Sequence, residues 1–378
     1  MIKIKNKADC CGCSACANIC AHKAITMVAD EKGFLYPHLD EDKCKSCGLC
    51  LKVCPIQNTP IVCKGQRKML VAYNKDEKIR KKSTSGGLFT ILANSVYQNG
   101  GVVCAARFDD MFSVEHYCSL SPTDIEQFRG SKYLQSRIGN TYSEIRHFLK
   151  EGIPVLFIGL PCQVAGLRKF LNKEYENLLT VDMVCMGVGS PKVWDAYLNK
   201  YINKDKIRRI VFKDKIKGWH NWLFKIEKMD GTIYEKGVDN AYFNGYLKHL
   251  FYRESCHSCH FKGIERCSDL TIADGWGIDK LHPEFDDNRG CSTVILQSEK
   301  GIKSWEEIVK PNVRYVDFDK TLFVTYNPYS VKCAEKNPFT KPFFKMFNDG
   351  EIKKAFDKYS GKYTFIQKII YKLYLRFN

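Results

Sequence analysis

Eight cysteines near the N-terminus form two runs with the same C-x2-C-x2-C-x3-C spacing: Cys10, Cys13, Cys16 and Cys20, then Cys44, Cys47, Cys50 and Cys54. Three thiolates separated by pairs of residues can wrap one side of a cubane, and the fourth ligand must come from another part of the chain. Zinc knuckles, the alternative, rarely have four cysteines per motif at this spacing, and here the motif occurs twice. The two runs therefore predict two [4Fe-4S] clusters.

The fourth cysteine of each run is expected to bind the cluster of the other run. The first cluster then takes Cys10, Cys13, Cys16 and Cys54, and the second takes Cys44, Cys47, Cys50 and Cys20. Gly12 and Gly48 should let backbone N–H groups approach the sulfurs. Between the runs, the pattern around a Lys-Gly pair predicts a hairpin of two short strands. Residues 1–58 are thus predicted to form an α+β, ferredoxin-like dicluster domain, with Cys11 as an extra thiol beside a cluster.

A third cysteine motif, Cys256-His257-Ser258-Cys259-His260, fits three kinds of site. The C-x-x-C-H spacing anchors c-type haem, and the same thiolates can form half of a zinc site or half of an iron–sulfur cluster. Haem attachment requires export, and the N-terminal residues contain no secretory signal, so we expect no haem. Zinc and iron–sulfur both remain open on these residues alone, and the two histidines are interpreted as solvated loop residues.

The elements between residues 69 and 185 must position the remaining cysteines. Buried-strand patterns alternate with amphipathic helices there, which predicts an open α/β sheet with its sites at the carboxyl ends of strands. Cys162 and Cys185 each fall at such an end, and they could complete a third cluster with the two cysteines of the C-x-x-C-H motif. Cys267 is the reserve fourth ligand if Cys185 proves to be structural.

A segment rich in hydroxyls and glycine, STSGG at residues 83–87, precedes one predicted helix. Ser83, Thr84 and Ser85 could cap that helix, whose N-terminus would be a cradle for phosphate. The sequence contains neither a G-x-G-x-x-G fingerprint nor a Walker loop, so nothing specifies NAD or ATP.

Two further segments are candidate substrate contacts, with a solvated hairpin and core packing as the plain alternatives: Lys213, Lys215, Lys217 and His220, and then Asp274 and Trp276. The sequence assigns no catalytic residue.

Composition restricts the protein class. At 378 residues, with 44% hydrophobic and 27% charged residues, the chain is long enough for two or three globular domains. No run of eighteen uncharged apolar residues occurs, which argues against a membrane-spanning helix. Without a secretory signal, we expect a cytoplasmic protein whose 19 cysteines bind metal rather than form structural disulfides. The formal charge of +17 does not indicate specific nucleic-acid binding, because the basic residues are spread along the chain and metal-bound thiolates offset them.

Several segments together resemble one known family: STSGGLFTILA, GSKYLQS, GLPCQVAGLRKFL, LLTVDMVCMGVGSPKVW, ESCHSCHF and SDLTIADGWGI. They are similar to the coenzyme F-420 hydrogenase/dehydrogenase beta-subunit family, in its bacterial form with an N-terminal two-cluster ferredoxin domain. The resemblance implies FAD, a cubane cluster in the core domain, and hydride chemistry with an organic partner. It also implies an α/β flavin-binding core with a mixed sheet, divided into domains at 68–190 and 191–340, before a basic amphipathic helical tail at 341–378.

On this resemblance, FAD would contact residues of two loops: Ser83, Ser85, Gly86, Gly87, Ser131, Lys132, Tyr133 and Gln135. The organic partner in archaea is the deazaflavin coenzyme, whereas a plant relative reduces a chlorophyll derivative, so the family does not fix the substrate. The chain departs from the family pattern at Leu160, Met186, Ala273 and Gly275. The change at Met186 removes a histidine that could donate a proton beside the flavin.

The leading hypothesis is an iron–sulfur flavoprotein oxidoreductase that passes electrons among its clusters and FAD, and exchanges a hydride with an organic substrate. The alternative is an electron-transfer subunit that serves a partner enzyme and has no substrate of its own. The resemblance also suggests a substrate in polysaccharide biosynthesis. Expected partners are a redox protein or small electron carrier and an organic hydride donor or acceptor. Residues 363–378 predict a basic amphipathic helix that rests on the inner face of the membrane or docks on the protein itself.

Overall fold

The computed structural model describes residues 2–60, 62 and 67–377, with only the backbone of Phe377. Residues 1 and 378 of the predicted N-terminal domain and tail lie outside the described residues. In chain order the strands are β1 (Ile25–Ala29), β2 (Leu35–Leu39), β3 (Met69–Asn74), β4 (Val102–Phe108), β5 (Val114–Ser119), β6 (Val155–Gly159), β7 (Leu178–Met183), β8 (Ile207–Asp214), β9 (Leu223–Lys228), β10 (Gly231–Lys236), β11 (Leu270–Asp274), β12 (Ser292–Leu296) and β13 (Val313–Asp317).

The α-helices carry labels in the same order: α1 (Ala15–Ile19), α2 (Leu49–Lys52), α3 (Glu77–Lys82), α4 (Leu88–Gln98), α5 (Ile125–Phe128), α6 (Thr141–Lys150), α7 (Pro161–Leu171), α8 (Pro191–Tyr197), α9 (Ala241–Leu247), α10 (Glu299–Ser304), α11 (Lys320–Tyr326), α12 (Thr340–Asn348), α13 (Ile352–Ala355) and α14 (Phe365–Phe377).

The N-terminal unit is a small α+β layer. Strands β1 and β2 pair antiparallel with Ile25 opposite Leu39, and the turn between them contains Gly33 at φ +84°. This confirms the predicted hairpin. Helices α1 and α2 each contain the third cysteine of one run, and they pack against each other.

The core is built on a mixed sheet in the order β13-β3-β12-β11-β7-β6-β4-β5. Strands β4, β6, β7 and β11 run parallel, and the outer neighbours pair antiparallel. Alternate residues face opposite layers: Val103 and Leu156 pack on the α4 side, whereas Val102 and Val155 pack on the α6–α7 side. The predicted α/β core with a mixed sheet is confirmed. The parallel strands bring their carboxyl ends to one edge.

A second, three-stranded antiparallel sheet in the order β10-β9-β8 packs into a cluster rich in aromatic side chains. The predicted tail, residues 341–378, has a buried part and an exposed part. Helix α12 packs into the aromatic cluster through Phe343 and Phe347, whereas α14 leaves Phe365 78% and Ile366 67% exposed. Within the described residues, no helix has the length and apolar character needed to cross a bilayer.

The cap of α4 differs from the prediction. Gly87 occupies the N-cap in the left-handed region at φ +85°, and no side chain among the described residues caps the helix. The hydroxyl of Ser83 donates to the carbonyl of Ile79 at 2.8 Å, and Ser85 pairs with Ser292 at 2.7 Å between hydroxyl oxygens. The predicted serine cap is therefore wrong, because Ser83 bonds back to the preceding helix α3 and Ser85 pairs with a residue of the distant strand β12.

Cys104 and Cys118 also depart from expectation. They are directly opposite residues of β4 and β5, with Cα atoms 4.1 Å apart, and a disulfide joins them. The sequence argued against structural disulfides, but it did not predict β5, so the facing register could not be anticipated.

The N-terminal unit docks on the α6–α7 layer of the core. Cys13 and Ala15 belong to the same apolar cluster as Val164 and Leu167 of α7. A Cβ on Gly166 would lie 2.9 Å from the Cβ of Cys13, so the absence of a side chain there permits the close approach of α1. Phe34, in the turn of the β1–β2 hairpin, is also completely buried.

Replacing Phe34 with alanine should lower the free energy of unfolding by about 3–5 kcal/mol, since a fully buried phenyl ring is lost and a cavity remains. The matched control is Val28→Ala on β1, where the side chain is 50% exposed, and its effect should stay within about 0.5 kcal/mol. Urea unfolding followed by circular dichroism on anaerobically purified protein measures both. Equal losses in the two variants would contradict the burial argument.

Candidate iron–sulfur and cofactor sites

The two cysteine runs have the same backbone conformation. Gly12 and Ser14 in the first run have φ values of +71° and +61°, and the equivalent Ser46 and Gly48 have +52° and +74°. These left-handed residues curl each loop around its thiols. The N–H of Ser46 donates to the sulfur of Cys44 at 3.4 Å, an arrangement typical of cysteines that hold iron–sulfur clusters.

The fourth cysteine of each run lies near the helix of the other run. Cys16 and Cys50 are buried in one small apolar cluster, and Cys20 and Cys54 pack against it. The charge environment of Cys16 includes both Cys10 and Cys54. This arrangement agrees with the predicted exchange of ligands, and the two ligand sets themselves stay predictions.

The two runs differ in exposure. Cys13 and Cys16 of the first run are only 8% and 7% exposed, because this run faces the core. In the second run Cys50 is buried as well, but Cys47, the equivalent of Cys13, is exposed. The first run is therefore an inner site and the second an outer site.

The four cysteines predicted for a third cluster line one cavity of about 40 Å³, the core cavity: Cys162, Cys185, Cys256 and Cys259. The first two follow β6 and β7, so they stand at the carboxyl ends of neighbouring parallel strands. A short 3-10 helix at Glu254–Ser258 supplies the third. Cys267 lines a separate groove with Arg168 and Asp269. Thus the structure brings Cys185, rather than Cys267, to the other three thiols.

Cationic side chains surround the core cavity. Arg253, Lys262 and Arg266 all line it, and Lys262 donates to the carbonyl of Cys185 at 2.5 Å. Burial raises the pKa of Cys256 to about 12 and that of Cys259 to about 11, so metal-free thiols would stay protonated near neutral pH. Four thiolates on a cubane carry net negative charge, which the three cations would offset. Both the donor set and its surroundings fit an iron–sulfur cluster.

The histidines of the C-x-x-C-H motif occupy different surroundings. The Nδ1 of His257 lies 2.9 Å from the carbonyl of Ala334, so this ring is tied to the backbone. His260 is exposed and reaches the rim of the core cavity. Among the described residues, no three His, Cys, Asp or Glu side chains are grouped to hold a metal ion. That absence concerns a site for a single ion. In a cubane each thiolate binds a different iron, so the four cysteines lie further apart than the ligands of one ion.

Cys11 connects the inner site with the core cavity. It packs against the apolar cluster that contains Cys13 of the first run, and it lines the core cavity together with Cys162. The sequence presented Cys11 only as an extra thiol, because the contact joins segments about 150 residues apart in the chain.

A second cavity, of about 160 Å³, lies at the carboxyl ends of β4, β6 and β7, and we call it the inner cavity. Its lining includes five of the residues predicted to contact FAD: Ser83, Ser85, Gly87, Ser131 and Lys132. The N-terminus of α4 opens into it through Leu88 and Phe89, without a side-chain cap among the described residues. Uncapped helix amides favour an anion such as phosphate.

Three predicted FAD contacts have other partners. The N–H of Gly86 donates to the hydroxyl of Ser292 at 2.9 Å, and the glycine packs tightly against β3. The ring of Tyr133 packs edge-on against Phe243, with centroids 4.9 Å apart. Gln135 faces the N-terminal unit, where its Nε2 donates to the carbonyl of Cys11 at 3.3 Å.

Lys132 lines the inner cavity, but its ammonium group is occupied. Its Nζ donates to the carbonyls of Gln127 at 2.9 Å and Phe128 at 3.0 Å, at the end of α5. This lysine therefore closes a helix C-terminus, a role for which basic side chains are suited.

An outer groove of about 710 Å³ adjoins the inner cavity and shares part of its lining: Thr84, Arg129, Gly130, Ser131 and Lys132. Its other walls include Lys82, Arg208, Arg209 and Lys213 beside three acidic residues. An apolar inner cavity with a basic outer groove suits a ligand that has a ring at one end and phosphates at the other.

A buried hydrogen-bond chain under the inner cavity was missed by sequence reasoning. The Nε2 of His116 lies 3.1 Å from the carbonyl of Ile158, which can only accept, so Nδ1 accepts from Ser136 at 3.0 Å. The amide of Gln163 donates to Ser136 at 2.9 Å, and its oxygen accepts from the N–H of Leu160 at 2.9 Å. No local motif marks His116, because both partners of its ring, Ser136 and Ile158, are at least 20 residues away in the sequence.

The two segments predicted to contact a substrate meet at Lys213, which lines the outer groove. Lys213 forms an ion pair of 2.9 Å with Asp274, and its ammonium lies 5.7 Å from the ring centre of Tyr133 and 6.0 Å from that of Trp276. Burial alone would lower the pKa of this lysine, but the adjacent carboxylate of Asp274 outweighs it and keeps the pKa well above the ordinary value. The group is thus a fixed positive charge among aromatic rings.

Family models match three consecutive parts of the chain. Residues 9–58 match the 4Fe-4S dicluster domain. Residues 69–141 match the N-terminal part of the coenzyme F420 hydrogenase/dehydrogenase beta subunit, and residues 154–318 match its C-terminal part. The chain belongs to the coenzyme F420 hydrogenase/dehydrogenase beta-subunit family. It is thus an iron–sulfur member of an oxidoreductase family, with a ferredoxin-type domain in front of the family core.

Among curated proteins, this family member is 27% identical over 327 residues to the coenzyme F420-dependent sulfite reductase of Methanocaldococcus jannaschii. The match covers 84% of the chain and 49% of the relative, so the chain spans about half the length of that protein. Among solved structures, it is similar to a chain of the F420-reducing [NiFe] hydrogenase complex from Methanosarcina barkeri, with a TM-score of 0.46 and 18% identity. That match covers 77% of this chain and 88% of the other.

The departures from the family pattern line the cavities or pack beside them. Met186 lines the core cavity, and Leu160 lines both the core and the inner cavity. A Cβ on Gly275 would lie 2.6 Å from the sulfur of Cys291, so a bulky aromatic residue does not fit there in this family member. Ala273 is buried in the apolar cluster that also contains Cys291.

We expect the free energy of unfolding to decrease as the pH falls below neutral, because His116 is buried in its neutral form. Burial lowers its pKa to about 4, whereas an unfolded histidine has a pKa of about 6.5. Between these values the unfolded chain binds a proton that the folded chain does not, so stability is lost as the pH falls from about 6.5 towards 4, by about 2 kcal/mol at pH 5. His116→Gln should remove that part of the loss. Urea midpoints at pH 7 and pH 5 give the comparison.

The matched control for this experiment is His147→Gln, at an exposed position on α6. It should leave the difference in stability between pH 7 and pH 5 as it is in the parent protein. An unchanged difference in the His116→Gln variant would show that the buried histidine does not cause the acid sensitivity.

Proposed function

We propose that this protein is an iron–sulfur flavoprotein that exchanges electrons with a redox partner and a hydride with an organic substrate. One observation carries the proposal: the candidate sites adjoin one another. Cys11 packs on the apolar cluster that contains Cys13 and lines the core cavity with Cys162, and Leu160 and Gln163 line both the core cavity and the inner cavity. When bound, clusters supply one-electron transfer and FAD couples it to hydride transfer.

The proposed ligands of the three clusters are all cysteines: Cys10, Cys13, Cys16 and Cys54 for the inner site, Cys44, Cys47, Cys50 and Cys20 for the outer site, and Cys162, Cys185, Cys256 and Cys259 for the core. Placement of Cys185 in the core cavity supports its assignment over Cys267. The cations around that cavity would stabilise the charge of four thiolates.

The proposed FAD site is the inner cavity together with the outer groove. The uncapped N-terminus of α4 and the hydroxyls of Ser85 and Ser131 would bind polar groups of the cofactor. Arg129 and Lys213 would face its phosphates from the groove. The chain of His116, Ser136 and Gln163 would hold the cavity floor rigid, because its side chains are hydrogen-bonded to one another and to the backbone of Ile158.

The outer site is the proposed contact for the redox partner. Cys47 is exposed there and Leu49 is 41% exposed. Lys45 and Lys52, close by in the sequence, are exposed too, whereas Lys43 pairs with Asp40 at 2.7 Å. An exposed apolar side chain with lysines nearby would favour an acidic protein or a small anionic carrier. Contact of α14 with an anionic membrane surface stays a prediction, supported by its exposed apolar face and its basic residues.

The deazaflavin coenzyme is the first substrate to test, because the curated relative is named as a coenzyme F420-dependent enzyme. A second candidate function is an electron-transfer subunit without its own substrate, which the match to only half of that relative favours. Reduction of a viologen dye by reduced deazaflavin, with the isolated protein as the only catalyst, supports the first function. Reduction that requires an added partner enzyme supports the second.

Anaerobically purified protein should contain about twelve irons per chain, at four per cubane, together with one FAD. The measurement is colorimetric iron analysis combined with the absorption spectrum of the flavin released by heat. About eight irons would remove the core cluster from the proposal, and absence of flavin would remove hydride chemistry from it.

Cys185→Ser should lower the iron content by about four atoms per chain, because the core cluster loses a ligand. The matched control is Cys267→Ser, which removes a thiol from the separate groove and should keep the full iron content. The reverse pattern would assign Cys267 as the fourth ligand.

A further inference from the structure

Arg253 is completely buried at the boundary between the N-terminal unit and the core. Its Nε donates to the carbonyl of Cys10 at 2.8 Å, one terminal nitrogen donates to Gln135 at 3.0 Å, and the other donates to the carbonyl of Leu35 at 3.0 Å. The guanidinium also stacks over Tyr36, 4.1 Å from the ring centre. One side chain therefore binds the first cysteine run, the hairpin and a core loop.

The first cysteine run comes very close to Arg253 at Gly12. Gly12 lies at φ +71°, and a Cβ there would come within 2.6 Å of Gln135 and 3.0 Å of Arg253. Gln135 in turn donates to the carbonyl of Cys11 at 3.3 Å. The backbone carbonyls of Cys10 and Cys11 are thus both hydrogen-bonded from the core, by Arg253 and Gln135 respectively.

Arg253 also lies close in sequence to the core cavity. It precedes Cys256 by three residues, and its own side chain lines that cavity. The backbone N–H of Cys256 donates to the carbonyl of Arg253 at 2.9 Å. A movement of Arg253 would therefore shift the inner cysteine run relative to the core thiols.

We propose that Arg253 is a positioning residue that holds Cys11 against Cys162, and that electrons cross between the inner site and the core through Cys13, Cys11 and Cys162. The inference rests on the proposed function, since it needs clusters at both sites. Each crossing moves one electron from the site held by Cys13 to the site held by Cys162, or back, so one site is oxidised and the other reduced. No bond forms or breaks, and no proton moves.

The first test variant is Arg253→Lys, which keeps the charge but loses the planar fork that reaches three acceptors. With iron content equal to the parent, electron exchange between the N-terminal clusters and the core should slow by about tenfold or more, because small displacements of reacting groups have large effects on rate. The magnetic interaction between the inner and core clusters in EPR spectra should weaken as well. Stopped-flow reduction with dithionite-reduced methyl viologen measures the rate.

The second variant is Cys11→Ala, which leaves Arg253 and its three hydrogen bonds in place. It should slow electron exchange while the magnetic interaction stays as in the parent, because the distance between the sites is preserved. Arg314→Lys, at an exposed position on β13, is the matched control and should behave as the parent.

The outcomes separate the inference from the proposed function. If the parent protein lacks iron at the inner site or at the core site, the proposed function itself is contradicted. Parent protein with full iron content, and both variants at the parental rate, contradicts the inference alone. If Arg253→Lys fails to fold or loses iron, Cys11→Ala decides: a slower rate supports the route through Cys11, and a parental rate overturns it.

Discussion

A buried guanidinium with three matched acceptors holds the N-terminal unit on the core. Removing Arg253 from water is costly, and the cost is met only when the first cysteine run, strand β2 and the loop containing Gln135 are all in place. The inner cysteine site and the core cavity therefore depend on one another for their shape. Gly12 and Gly166 serve the same contact, since each lacks a side chain where the two units come closest.

The parallel strands impose the second constraint. Their carboxyl ends meet at one edge of the sheet, so the loops after β6 and β7 must share that space. The short segment from Leu160 to Gln163 consequently lines two cavities, with the thiol of Cys162 towards one and the hydrogen-bond chain of His116 under the other. A substitution in this segment would disturb both cavities together.

The features that could be predicted from the sequence are those that depend on the spacing of residues close together in the chain. The cysteine runs, the hairpin, the α/β alternation and the strand-end position of Cys162 and Cys185 all depend on neighbours within about a dozen residues. The errors and omissions involve distant partners. Ser85 pairs with Ser292 instead of capping α4, Gln135 turns towards the N-terminal unit, and His116 has no local motif. Hydrogen bonds between segments so far apart leave no periodic signal in a single sequence.

The unequal burial of the two cysteine runs has a consequence for chemical durability. Dissolved oxygen and peroxides reach the exposed Cys47 directly, whereas its equivalent Cys13 is buried in the apolar cluster shared with the core. Oxidative damage should thus begin at the outer run and spare the inner one. A protein oxidised in this way would lose the thiol of Cys47 while that of Cys13 was still intact.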